Sequence, residues 1–109
     1  MQKICLIQTA VASPGEAKAM ATGLMDVGMA GCVQISAAGF STYRWKGRLE
    51  RAEEYYISIK TTSACRESVI GWLQQHHPYE LPEIIWSEVD ATEDYANWIH
   101  HSVIYTEPA

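Results

Sequence analysis

The chain has 109 residues, 48% of them apolar, and a formal net charge of −5 at pH 7, which fits one domain able to bury a core without covalent staples. No run approaches the roughly 18 apolar residues of a membrane span, the N-terminal residues lack the layout of a secretory signal, and an acidic balance without like-charge blocks argues against a nucleic-acid partner. Cys5, Cys32 and Cys65 are an odd set with no C-x-x-C pair, so reduced core thiols in a soluble, cytosolic protein are expected rather than a disulfide framework or zinc knuckle.

Residues 3–9 hold a near-continuous apolar run of strand length, expected for a strand covered on at least one face. A helix follows. Ser13-Pro14-Gly15-Glu16 combines an N-cap serine, proline at the first helical position and a glutamate three residues on. Ala17, Met20, Ala21, Leu24 and Gly28 recur at three and four residues, a narrow stripe able to lie close to a sheet, with Gly28 as the stop.

Residues 31–35 read as the second strand. After the weak stretch Ala37-Ala38-Gly39, residues Ser41, Tyr43 and Trp45 alternate with Thr42, Arg44 and Lys46, and Lys46-Gly47 makes a two-residue hairpin turn. The returning strand is marked by Tyr55, Ile57 and Ile59 at period two. Thr61-Thr62-Ser63 offers caps for a second helix with the stripe Cys65, Val69, Trp72 and His76, and Ile70 and Leu73 beside it.

Pro78 disfavours helical backbone at His77, so that helix ends near His76, and the two imidazoles point apart. Pro82 and the run Ile84-Ile85-Trp86 open the last strand, expected over residues 84–89. Asp90 or Thr92 caps a terminal helix carrying Tyr95, Trp98, Ile99 and Val103, and the tail 106–109 is expected to fray.

The order strand, helix, strand, strand, helix, strand, helix predicts an α+β fold: a ferredoxin-like βαββαβ sandwich over residues 1–109, its core at about 3–103, with helices on one face of an antiparallel sheet. The hairpin over residues 40–54 would overhang a four-stranded sheet. Such an edge is normally covered or paired, so a homo-oligomer is expected, with Tyr43, Trp45, Tyr55, Tyr56 and Trp86 as interface aromatics.

For chemistry, His76-His77 is the metal candidate, since imidazole suits copper, zinc and nickel. Adjacent residues share no face of a regular element, so a closed site needs a further ligand from a cysteine, a carboxylate or another subunit. The plainer reading makes His76 a helix C-terminal cap and His77 a local hydrogen-bonding group. His100-His101 repeats the pattern at a solvated helix end. Glu50, Glu53, Glu54 and Glu83 are cleft candidates with Lys60. There is no G-x-S-x-G elbow, phosphate-binding glycine loop, dinucleotide fingerprint or H-E-x-x-H, and no enzymatic reaction is expected.

The blocks Cys32-Val33-Gln34-Ile35, Ser41-x-Tyr43-x-Trp45-Lys46-Gly47-x-x-Glu50, Ile59-Lys60-Thr61 and His77-Pro78-Tyr79-Glu80-x-Pro82-Glu83-Ile84 resemble the CutA family of divalent-cation tolerance proteins over about residues 3–103. The resemblance implies a ferredoxin-like subunit in a tight homotrimer with strands paired across subunit edges, a cytosolic role in tolerance of copper and other divalent cations, and no catalysis. It also implies copper binding through a first-strand cysteine and tandem histidines. His76 and His77 match; the cysteine position is Gln8, which leaves a histidine site for Cu(II) or Zn(II) rather than a thiolate site for Cu(I). Family members often carry Pro-Gly where this chain has Ala37-Ala38, so the loop before the hairpin is expected to run differently. The alternative reading is a trimeric small-ligand sensor or signalling scaffold with inter-subunit clefts lined by Trp45, Glu50, Lys60, Tyr79 and Glu83.

Overall fold

The computed structural model describes residues 2–108, so Ala109 of the tail lies outside the described residues. In chain order it runs β1 (Gln2–Val11), α1 (Pro14–Asp26), β2 (Cys32–Ile35), β3 (Gly39–Trp45), β4 (Arg48–Thr61), a 3-10 turn (Ser63–Cys65), α2 (Arg66–His76), β5 (Ile85–Ala91) and α3 (Glu93–Ser102). The sheet order is β2-β4-β1-β5, every pairing is antiparallel, and β3 continues alongside β4. Because β4 inserts between β1 and β2, the first unit is a split β-α-β, and the expected ferredoxin-like class is the one found. No helix among the described residues is long and apolar enough to cross a membrane.

Local chemistry sets the ends of α1. The Ser13 hydroxyl oxygen accepts the Glu16 N–H at 3.1 Å, and its own proton goes to the Glu16 carboxylate. Gly28 stops the helix at φ +74°, a conformation glycine adopts without Cβ strain. Its carbonyl then accepts the N–H groups of Ile104 and Tyr105 at 3.0 and 2.9 Å, docking the chain beyond α3. Farther along the tail, the Glu107 carboxylate accepts from the Ser68 hydroxyl.

Alternation along β1 splits the core. Cys5, Ile7 and Val11 face one way and pack with Ala17, Met20 and Leu24 of α1 and Val69 and Leu73 of α2. Ile4 faces the other way and packs with Ala96 and Ile99 of α3. The expectation of helices on one face is corrected here: α3 crosses to the opposite face. It covers only one end of that face, and Gln8, Gln34, Ile85 and Ser87 remain exposed.

Other differences are local. Thr62 caps the 3-10 turn through its side chain, and α2 itself begins at Arg66. Leu73, rather than Trp72 or His76, is the fully buried centre of the α2 stripe. The last strand runs Ile85–Ala91, and Thr92 occupies the N-cap of α3 without a side-chain cap bond.

Between β2 and β3 the arm carries one extra residue. Ser36 N–H still donates to Tyr56 O, while Gly39 is already opposite Glu54, so Ala37 and Ala38 face Tyr55 alone. This is a bulge. Ser36 Oγ accepts the Tyr56 N–H at 3.1 Å, replacing a lost ladder partner. The bulge leads into an overhang, since β4 pairs with β1 only over Tyr55–Val11 through Thr61–Cys5, and residues 48–54 pair with β3 alone.

Candidate functional site

The joint between α2 and β5 organises two neighbouring features. Pairing of β1 with β5 stops at Gln8–Ile85, and His77 occupies the space beside the next residues of β1. Its ring is fully engaged: Nδ1 accepts the Tyr79 N–H at 3.1 Å, which leaves the proton on Nε2 to be shared by Ala10 O at 2.9 Å and Thr9 Oγ1 at 3.0 Å. Burial holds the His77 pKa below the ordinary histidine value, opposed by the Ala10 carbonyl and the charges of Glu16 and Glu54.

His76 is different. It is exposed, its Nδ1–H donates to Trp72 O at 2.8 Å, and its ring stacks on the Trp72 indole at 4.0 Å between centroids. The indole is seated on Gly23 of α1, where an added Cβ would come within 2.5 Å of it. The Nε2 lone pair therefore points away from the backbone bond, the arrangement found in metal-binding histidines whose other nitrogen is fixed by a carbonyl. Glu16, Asp26 and His76 line a groove of about 510 Å³ between α1 and α2, floored by Met20 and Trp72. His101 repeats the local geometry, with Nδ1 on Asn97 O at 2.8 Å, on a different helix.

Among the described residues, no three His, Cys, Asp or Glu side chains converge on a point where an ion could sit. The described chain thus offers one free imidazole nitrogen on a groove whose lining also includes two carboxylates, and it does not form a closed metal cage. The first-strand cysteine does not compensate. Cys5 is buried on the face opposite exposed Gln8, and burial, with the nearby Glu88 charge, pushes its pKa to about 11. Burial also raises the Cys65 pKa. All three cysteines are free, and the two buried thiols are protonated, hence poor ligands, near neutral pH.

On the other side of the joint, residues 78–83 and the length of the hairpin from Glu54 at its base to Trp45 beside its turn line a groove of about 680 Å³. Its walls include Tyr43, Trp45, Tyr79, Glu54 and Glu83. Glu54 is only 8% exposed, and its carboxylate accepts from the Tyr79 hydroxyl at 2.8 Å. Burial and that carboxylate push the Tyr79 pKa upward, so the phenol is a firm donor. Of the cleft residues expected from sequence, Trp45, Tyr79 and Glu83 come together here. Glu50 lies opposite Tyr43 on the hairpin but outside the groove. Lys60 is at the far end of β4, its ammonium on the Tyr95 hydroxyl at 3.3 Å. The residues that sequence reasoning missed are Trp72, stacked on His76, and Glu16 and Asp26, which line the same groove; the i, i+4 spacing of Trp72 and His76 was the available signal.

The family model described as CutA1 divalent ion tolerance protein matches residues 5–102. The chain belongs to this family. A divalent-cation tolerance protein CutA of Yersinia pestis (strain Pestoides F) is 30% identical over 95 residues, covering 84% of this chain and 80% of that protein. CutA from Synechococcus elongatus PCC7942 superposes with a TM-score of 0.90 at 32% identity, covering 95% of this chain and 93% of that one. CutA from Xylella fastidiosa gives 0.89 at 30% identity, over 93% and 98% of the two chains. The CutA assignment made from the ordered sequence blocks is therefore borne out, and with it membership in a family named for divalent-cation tolerance.

Proposed function

We propose that this CutA-family chain works as a cytosolic homotrimer that binds divalent cations without catalysis, taking Cu(II) or Zn(II) through the Nε2 atom of His76. The observation carrying the metal reading is the Trp72 carbonyl bond, which fixes Nδ1 and leaves Nε2 free on a ring that lines the same groove as Glu16 and Asp26. His77 belongs to the same candidate pair, but it would have to give up its bonds to Ala10, Thr9 or Tyr79 to bind an ion. Free buried thiols support a reducing compartment. The half-bare sheet face and the overhang support assembly, with Phe40 at 70% and Leu49 at 67% exposure on one face of the hairpin.

Calorimetric titration with Cu(II) and Zn(II) tests the metal reading. His76→Ala should weaken binding by at least about tenfold, equivalent to about 1.4 kcal/mol. Unchanged affinity in that variant would overturn the site. A second reading, a trimeric small-ligand sensor, is supported by the aromatic groove, whose volume suits a small molecule. Saturable binding of a nucleotide or metabolite, lost in Tyr79→Phe, would favour it over metal binding.

A further inference from the structure

We propose that the groove between the hairpin and residues 78–83 binds a small organic cation carrying N–H groups, an alkylammonium or alkylguanidinium, whose charged head meets the free carboxylate oxygen of Glu54. This rests on the small-ligand reading of the groove and specifies the charge and donor groups of the ligand. One face of the hairpin presents Glu54 at its foot and, at period two along β3, Ser41, Tyr43 and Trp45. Tyr79, from the joint after α2, meets Glu54 and completes that lining.

Glu54 is the first β4 residue beyond the β1 ladder, which ends at Val11–Tyr55. It is more than nine-tenths buried, yet among the described residues it takes part in no ion pair. A carboxylate at that depth is normally matched by a cation. The Tyr79 hydroxyl donates to Oε2, and burial with the Glu54 charge pushes the pKa of that phenol up, so it stays a neutral donor and leaves the negative charge uncompensated. Among the described residues no donor reaches Oε1, and no buried side-chain oxygen or nitrogen lacks a partner. Oε1 is therefore open to the groove that Glu54 lines.

The rest of the lining selects the class. Glu80 and Glu83 add carboxylates against the guanidinium of Arg44, and among the described residues none of the three is ion-paired, so the groove carries a negative potential that disfavours phosphates and carboxylates. The rings of Tyr43, Trp45 and Tyr79 offer faces that attract cations, and Trp45 already has the Lys46 ammonium at 5.7 Å. A bare hard metal ion takes about six oxygen ligands, whereas among the described residues no three His, Cys, Asp or Glu side chains converge on a point. An N–H is required because Oε1 is an acceptor; a quaternary ammonium meets the rings and leaves that oxygen without a donor.

Titration of the full-length protein, followed by the tryptophan indole N–H signals in proton–nitrogen correlation spectra, tests the proposal. Butylammonium and butylguanidinium should shift the Trp45 signal, identified by its loss in Trp45→Phe, and reach saturation, while the signals of Trp72, Trp86 and Trp98 stay in place. Butyltrimethylammonium, which lacks an N–H, and butyrate should bind at least about tenfold more weakly. Glu54→Gln keeps the shape and an acceptor for Tyr79 but removes the charge, and it should weaken both cations by at least about tenfold. Comparison of the probes on the wild type reads the same contact without a variant. Equal binding of butylammonium and butyltrimethylammonium, or unchanged binding in Glu54→Gln, would overturn the Glu54 contact. A saturable response to adenosine monophosphate with none to the cations would overturn the ligand class and leave the small-ligand reading standing, and silence toward every probe would overturn both.

Discussion

The Tyr79 N–H donates to His77 Nδ1 at 3.1 Å, and this bond selects the neutral imidazole, because a protonated Nδ1 would meet a second donor. Burial lowers the His77 pKa in the same direction. The native state thus binds the proton less readily than the unfolded chain, whose histidine titrates near 6.5. Stability from this residue is fully present above that value and is lost as pH falls from it through the lowered native value. Urea denaturation at pH 8 and near pH 5 should show a lower midpoint in acid, and His77→Gln should reduce the difference. An undiminished acid loss in the variant would assign it to other groups.

Two helical glycines should respond to alanine with opposite signs. At Gly71 of α2 an added Cβ meets nothing within 4 Å, so Gly71→Ala should gain about 0.5–1 kcal/mol from helix propensity. At Gly23 the same atom would lie 2.5 Å from Trp72 Cζ2 and 2.9 Å from Cη2. Gly23→Ala should therefore displace the indole and the His76 stacked on it, costing about 1–3 kcal/mol despite the better propensity. Thermal melts of the two variants read the sign directly, and a stabilised Gly23→Ala would show that the Trp72 contact is slack.

Thr61 is fully buried, and its hydroxyl donates to Met29 O at 2.6 Å, tying β4 to the segment between α1 and β2. Thr61→Val keeps the shape but leaves that carbonyl without this donor. A loss of about 1–3 kcal/mol is expected in denaturant titration. Thr61→Ser keeps the bond and loses a methyl group, so it should cost less; the reverse ranking would mean that packing rather than the hydrogen bond decides the site.

Sequence periodicity carried most of the fold because each strand and helix has a local reason to exist. The capping serine before Pro14, the Lys46-Gly47 turn and the stop at His77-Pro78 all act within a few residues, and the structure has all three. Placement of α3 was less legible. Its apolar stripe needs a sheet face, but nothing local says which, and only the pairing of Ala96 and Ile99 with Ile4 decides. Within one subunit Lys60 lies away from Tyr79 and Glu83, because the 14-residue strand β4 holds it at the end remote from the hairpin. The role of His77 also depended on long-range partners. Thr9 and Ala10 lie 68 and 67 residues from His77 in sequence, too far for any spacing rule.

Trp45 separates assembly from folding. It sits next to the turn, and the β4 residues opposite this arm pair with β3 alone, without β1 beside them. Trp45 is absent from both buried clusters, so its removal leaves the cores around Ile7 and Ile4 intact. In the proposed homotrimer its indole is expected to gain burial from a neighbour, where a large aromatic anchor commonly contributes at least about 2 kcal/mol. Trp45→Ala should thus weaken association by about 30-fold or more in sedimentation equilibrium while far-ultraviolet circular dichroism is retained. Intact trimers at the same concentration as wild type would remove Trp45 from the interface, whereas loss of the circular dichroism signal would show that the hairpin stabilises the single subunit.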